Sequence, residues 1–173
     1  MDLYTVYDYP PLPDHIEQQC LDIAAADTPL FTVDNVPGQC VFDLFYPPAD
    51  LEQWKQTQSP FGPDYFIFVQ KMHSGHCLLP HVDQGDAVNN ICPRDYAINY
   101  LLSSKGPVTE WYQEPDVSTM IKSVVFPART WHRIKTDVFH GVRNITEPRI
   151  AITMTSMSGH AGNKTMSKRM LCS

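Results

Sequence analysis

The chain has 173 residues, 43% of them hydrophobic, 11% aromatic and only 18% charged, a make-up that can bury one substantial core and excludes disorder as the dominant state. A formal net charge of -6 leaves no overall positive field to gather nucleic acid or anionic lipid. No run approaches the roughly 18 apolar residues of a membrane span, and the start lacks a basic segment followed by an apolar one, so a soluble, cytoplasmic protein is expected.

The reading along the chain is of one domain in three parts. Residues 1–64 carry nine of the 15 prolines and read as short helices and loops packed on the rest. Asp14 and Glu17 after Pro13 form a capping-box-like start, and Ile16, Cys20, Leu21 and Ile23 recur at helical spacing, which predicts a helix to about Ala25. A second helix is predicted over Ala49 to Gln58, where Leu51 and Trp54 share a face.

From residue 65 to 156 the pattern changes to eight short β-rich runs: YFIFVQKM, CLLPHVD, DYAINYLL, PVTEWYQ, IKSVVFPA, WHRIKT, FHGVRN and RIAITMTS. With no long helix between them, these predict an antiparallel jelly roll and not a βαβ sheet. Residues 157–173 hold Lys164, Lys168 and Arg169 among small polar residues and read as a mobile end. The five cysteines, Cys20, Cys40, Cys77, Cys92 and Cys172, form no CxxC pair, and most read as buried small hydrophobes.

In LPHVDQG, His81 and Asp83 stand two apart on a predicted strand, so both leave the same face and can grip one ion. His140, in FHGVRN, lies on another run that a jelly roll can place alongside. Two imidazoles and a carboxylate leave three coordination positions of a metal open. Nine residues on, Arg149 opens a strand whose alternation groups it with Ala151 and Thr153. A guanidinium inside a barrel needs an anion, because burying it unpaired costs several kcal/mol.

His-x-Asp, a distal His and an Arg nine residues later in an RxAIT strand together resemble the Fe(II)/2-oxoglutarate-dependent dioxygenases, over roughly residues 66 to 156. The resemblance implies a double-stranded β-helix (cupin-like jelly roll, mostly β with N-terminal helices), with Fe(II) held by His81, Asp83 and His140. It implies 2-oxoglutarate and dioxygen as cosubstrates. Arg149 would pair with the distal carboxylate of 2-oxoglutarate, with Thr153 on the same face, and Tyr100 of RDYAINYLL would help to hold that carboxylate, as a tyrosine does in prolyl-hydroxylase-like members. The frequent RxS motif here reads Arg149-Ile150-Ala151, and KGPVTEWYQ replaces a glycine-rich stretch. A similarity to short phage-like and bacterial members makes Arg94, Asn99, Thr109 and Trp111 candidate substrate-pocket residues.

His132 is the rival distal ligand. It sits seventeen residues before Arg149, so it reads as a flanking, substrate-side histidine. Arg94 reads equally as a surface residue, and Tyr100, Trp111 and Tyr112 as strand packing. His73 and His76 lie near a turn and read as ordinary polar residues. The leading expectation is hydroxylation of an amino-acid side chain, in a protein, a peptide or the free acid. The alternatives are a non-oxidative cupin-like metal- or ligand-binding module, which would not need Arg149, and a structural jelly-roll subunit. Oligomeric state is not readable.

Overall fold

The structure, a computed structural model, describes residues 2–36, 40–83, 95–103 and 106–156. The expectations for Arg94, Cys92 and residues 157–173 lie outside them. Two helices, α1 (Asp14–Ala25) and α2 (Ala49–Thr57), fall where the apolar spacing predicted them. The eight β-rich runs are eight strands: β4 (Tyr65–Met72), β5 (Leu78–His81), β6 (Tyr96–Ser103), β7 (Val108–Tyr112), β8 (Met120–Val124), β9 (Trp131–Lys135), β10 (His140–Arg143) and β11 (Arg149–Ser156). The first part of the chain adds β1 (Tyr4–Val6), β2 (Phe31–Val36) and β3 (Cys40–Phe45).

All pairings are antiparallel and build two sheets, β1-β9-β6-β11-β4-β3-β2 and β5-β10-β7-β8. This is a double-stranded β-helix with helices on one outer face. The larger sheet is apolar on both faces. Ile98, Tyr100, Trp131, Ile152 and Met154 share a core with Ile16, Cys20 and Ala24 of α1 and with Leu51 and Trp54 of α2. Their strand neighbours Ala97, Leu101 and Ala151 turn the other way and pack on Trp111 and Phe126. Each fully buried large side chain contributes about 1.5–3 kcal/mol by leaving water, so the sheet is held from both sides. Across the smaller sheet, Arg143 donates to the buried Glu110 carboxylate at two nitrogens, one at 2.7 Å, and Tyr112 donates a third hydrogen bond, tying β10 to β7.

Three expectations need correction. The Pro-rich first part is not only helix and loop: β1 pairs with the edge of β9, and the β2–β3 hairpin extends the sheet beyond β4. Prolines at 29, 37, 47 and 48 flank these runs and do not interrupt them, which is where strands tolerate proline.

Asp14 and Glu17 do not cap α1 either. The N-cap is Pro13, with no side-chain acceptor, and both carboxylates instead receive Arg129, at 2.5 Å to Asp14 and 3.1 Å to Glu17. Tyr100 is the third case. Its hydroxyl accepts from Leu12 N at 3.1 Å and donates to Glu17 on the helix side. It is fully buried there, on the face opposite to the space between the sheets, so it cannot hold a ligand with Arg149. The period of two dictates this: Asn99 and Leu101 turn inward, so Tyr100 turns out.

Candidate metal centre and buried cation

β5 ends at His81 and β10 begins at His140, and their antiparallel register sets the two residues directly opposite each other. The imidazole centres are 4.3 Å apart. Asp83 follows in the loop, where its N–H donates to Thr136 O at 2.9 Å, and its carboxylate stands 3.5 Å from His81 Nε2. One donor atom from each of His81, Asp83 and His140 lies within 4.8 Å of the others.

Tautomer is settled by the backbone. His81 Nδ1 is 2.8 Å from Leu79 O and His140 Nδ1 is 3.0 Å from Val138 O. A carbonyl only accepts, so each Nδ1 carries the proton and each Nε2 keeps a lone pair for an ion. His140 is buried, whereas His81 and Asp83 retain partial exposure, so the cluster opens on one side. Two imidazole nitrogens and one carboxylate suit a divalent iron-type ion and leave coordination positions for other ligands.

Gly141 makes the close approach of β5 possible. A β-bulge interrupts the β5–β10 register between His140 and Val142, and a Cβ on Gly141 would sit 2.4 Å from Leu78 O and 3.3 Å from Leu79 C. Sequence reading missed this glycine. Its one signal is its place directly after a ligand-type histidine.

Arg149 starts β11 opposite Met72 and is 5% exposed. Among the described residues its one side-chain hydrogen bond is to Met72 Sδ at 3.5 Å, and no carboxylate pairs with it. Burial alone lowers its pKa from 12.5 to about 10; at pH 7 it remains a cation with no anion beside it among the described residues. Thr153, on the same strand face, donates to Asn99 Oδ1 at 2.8 Å.

Asn99 is directly opposite both Thr153 and His132, so these three form one row across β11, β6 and β9. His132 is fully buried and stacks on Phe126 with centres 3.8 Å apart. Its Nδ1 donates to Thr130 O at 3.2 Å, while Nε2 is a buried acceptor with no partner. Phe126 is a second residue that sequence reading did not single out; the aromatic that opens FPARTW carried no polar signal.

Thr109 and Trp111 lie on β7, opposite Val142 and His140, and both are buried. Trp111 packs against Tyr4 and donates Nε1 to Lys135 O at 3.2 Å, which makes it a wall beside His140. The structure therefore gathers His81 and His140 of the smaller sheet with Asp83 of the loop after β5. Arg149, Thr153, Asn99 and His132 share the larger one. His132 stands on a different sheet from His81 and takes no part in the three-residue cluster.

The neutral state of His132 has a measurable consequence. Burial first, and then the Arg149 charge, lower its pKa from 6.5 to about 3. Below about pH 6.5 the unfolded chain accepts a proton that the folded chain refuses, so stability is full above that pH and falls toward pH 3. At pH 4.5 the loss should be about 2–3 kcal/mol. Urea unfolding of wild type and His132→Leu at pH 7.5 and 4.5 checks it: the wild type should lose that much more on acidification. Equal losses would refute the buried neutral state.

The fold is a double-stranded β-helix, and solved structures that share it include 2-oxoglutarate oxygenases. A prolyl hydroxylase from Trichoplax adhaerens, in complex with a hypoxia inducible factor oxygen degradation domain peptide fragment, superposes with a TM-score of 0.61 over 92% of this chain and 86% of its own, at 12% identity. HygX from Streptomyces hygroscopicus, with nickel, 2-oxoglutarate and hygromycin B bound, gives 0.54 over 88% and 82% at 14% identity. A 2OG-Fe(II) oxygenase family oxidoreductase from Burkholderia pseudomallei gives 0.52 over 88% and 83% at 13%. At these identities the likeness is one of fold. No protein-family model matches the sequence, and no curated protein is detectably similar to it. Among the described residues, no helix is long and apolar enough to cross a membrane.

Proposed function

We propose that this chain is a non-haem iron oxygenase that couples oxidative decarboxylation of 2-oxoglutarate to hydroxylation of an amino-acid side chain, in a protein, a peptide or the free acid. The observation that carries it is the pairing of an open two-histidine, one-carboxylate cluster with a buried arginine that has no carboxylate partner among the described residues, inside one β-helix. A metal-binding module or a structural jelly roll has no use for the second feature, which costs folding energy.

In this reading His81, Asp83 and His140 hold Fe(II) through His81 Nε2, His140 Nε2 and an Asp83 carboxylate oxygen. The iron, 2-oxoglutarate and dioxygen supply the oxidising power, and the protein supplies binding and orientation. Arg149 takes the carboxylate of 2-oxoglutarate that lies away from the metal, forming the charge-assisted hydrogen bonds it lacks otherwise, and Thr153 lines the same face. Trp111 shuts water away behind His140. His132 Nε2, an acceptor in want of a donor, and Asn99 and Thr109 face a bound group. The partly exposed side of His81 and Asp83 is where a substrate approaches. The charge of -6 argues against a nucleic-acid substrate, and we place the enzyme in the cytoplasm.

Anaerobic titration tests this directly. Fe(II) and 2-oxoglutarate together should produce a weak visible absorption band that neither produces alone, with succinate released on admitting oxygen. Asp83→Ala should abolish both signals. Metal binding without a band in the folded wild type would overturn the oxygenase reading in favour of a non-oxidative binding module.

A further inference from the structure

A second histidine cluster stands apart from the first, between β3 and the turn that follows β4. Asp43 is almost wholly buried. One of its carboxylate oxygens accepts from Thr32 Oγ1 at 2.6 Å, and the other lies 2.7 Å from His73 Nε2. His73 Nε2–H thus donates to the carboxylate, and among the described residues no hydrogen bond engages His73 Nδ1. An imidazole held from behind by a carboxylate is the usual second partner arrangement of a metal-binding histidine.

His76 completes the pair. The turn His73-Ser74-Gly75-His76 is closed by Gly75, at φ 78°, and by its N–H, which donates to Ile145 O at 2.7 Å. This brings the His76 ring centre to 6.2 Å from that of His73. His76 Nδ1 is shut off from water and has no hydrogen-bond partner. A buried polar atom left without a partner calls for a specific cause, an ion among them.

We propose that His73 and His76 form a second metal site, for a zinc-type divalent ion, with Asp43 as the residue that orients His73. The ring planes stand at 71°, so the two imidazoles must turn towards each other to share one ion at Zn–N distances of about 2.0–2.1 Å, with water completing the four-coordinate shell. The donors are nitrogens, which excludes calcium and magnesium and favours zinc or copper. Bound there, the ion would clamp the β4–β5 turn to β3 through the Asp43 contact.

Zinc binding by full-length Asp83→Ala/His140→Ala, in which the first cluster is disabled, isolates this site from the proposed oxygenase centre and needs no turnover. Equilibrium dialysis against Zn(II) should find one ion per chain. His76→Ala, which removes no hydrogen bond and so should fold, should abolish it. Asp43→Asn should weaken binding about 10- to 100-fold, and His15→Ala, an exposed histidine elsewhere, should leave it unchanged. No zinc in the disabled background, or zinc that survives His76→Ala, would overturn the site. Failure of 2-oxoglutarate turnover in wild type would leave this count untouched.

Discussion

Arg149→Met should yield a protein that is harder to unfold and unable to hold a dicarboxylate. Arg149 is 5% exposed, its guanidinium hydrogen-bonds only to Met72 Sδ among the described residues, and burial lowers its pKa from 12.5 to about 10. At about 1.4 kcal/mol per pH unit, keeping it charged costs on the order of 3 kcal/mol in the ligand-free protein. Methionine is apolar, unbranched and adaptable, and fits beside Met72 without bringing a charge. The expected gain is about 1–3 kcal/mol in urea unfolding, and about 2–4 °C in Tm for each kcal/mol.

The same change should weaken 2-oxoglutarate about 30-fold or more, since truncating one partner of a buried charge pair costs about 2–5 kcal/mol. Fe(II) binding should persist, because no ligand of the cluster is altered. Calorimetry with 2-oxoglutarate and thermal unfolding of the same samples check both halves. A variant that is destabilised and binds 2-oxoglutarate as before would show that Arg149 is a packing residue.

Gly141→Ala tests the other sheet. The added methyl would meet Leu78 O at 2.4 Å and Leu79 C at 3.3 Å; both are backbone atoms, so the strand itself has to move. β5 carries His81 at its end, opposite His140, and displacing it separates the two imidazoles. The expected cost is about 1–3 kcal/mol from overpacking, with Fe(II) affinity lowered more than 10-fold. Gly62 and Gly75 supply the contrast. A Cβ at either meets nothing within 4 Å, and replacement strains only the local backbone, at φ 86° and 78°. Metal affinity at the cluster unchanged in Gly141→Ala would refute the close-approach argument.

Elements whose evidence is local were legible from the residues alone. Ile16, Cys20 and Ile23 mark one stripe and α1 runs under it; the eight β-rich runs bounded by Gly, Pro, Asn and Asp are the strands β4 to β11. The alternation that groups Arg149 with Thr153 also survives, because it depends on a few consecutive bonds, whereas Asp83, read as part of the strand, approaches His81 from the loop after β5. The strands of the first part were hidden for an equally local reason. Three-residue β1 has no pattern to read, and prolines around β2 and β3 masked a hairpin that sheet edges stabilise.

What the residues by themselves determined is the list of elements, the class of fold, and the residue types a metal and an acid would need. The tertiary structure alone decided facing and pairing. β6 is buried on both faces, so YAINYLLS shows no polar alternation, and nothing local says that Tyr100 meets α1 while Asn99 turns between the sheets. Asp14 and Glu17 look like caps until Arg129 reaches them across the fold. His140 lies opposite His81, with His132 on the other sheet, because of strand order. The absence of a carboxylate beside Arg149 among the described residues is a property of the assembled interior: hydrophobic periodicity is encoded over a few residues, whereas a charge is paired or unpaired only by what the whole chain brings within reach of it.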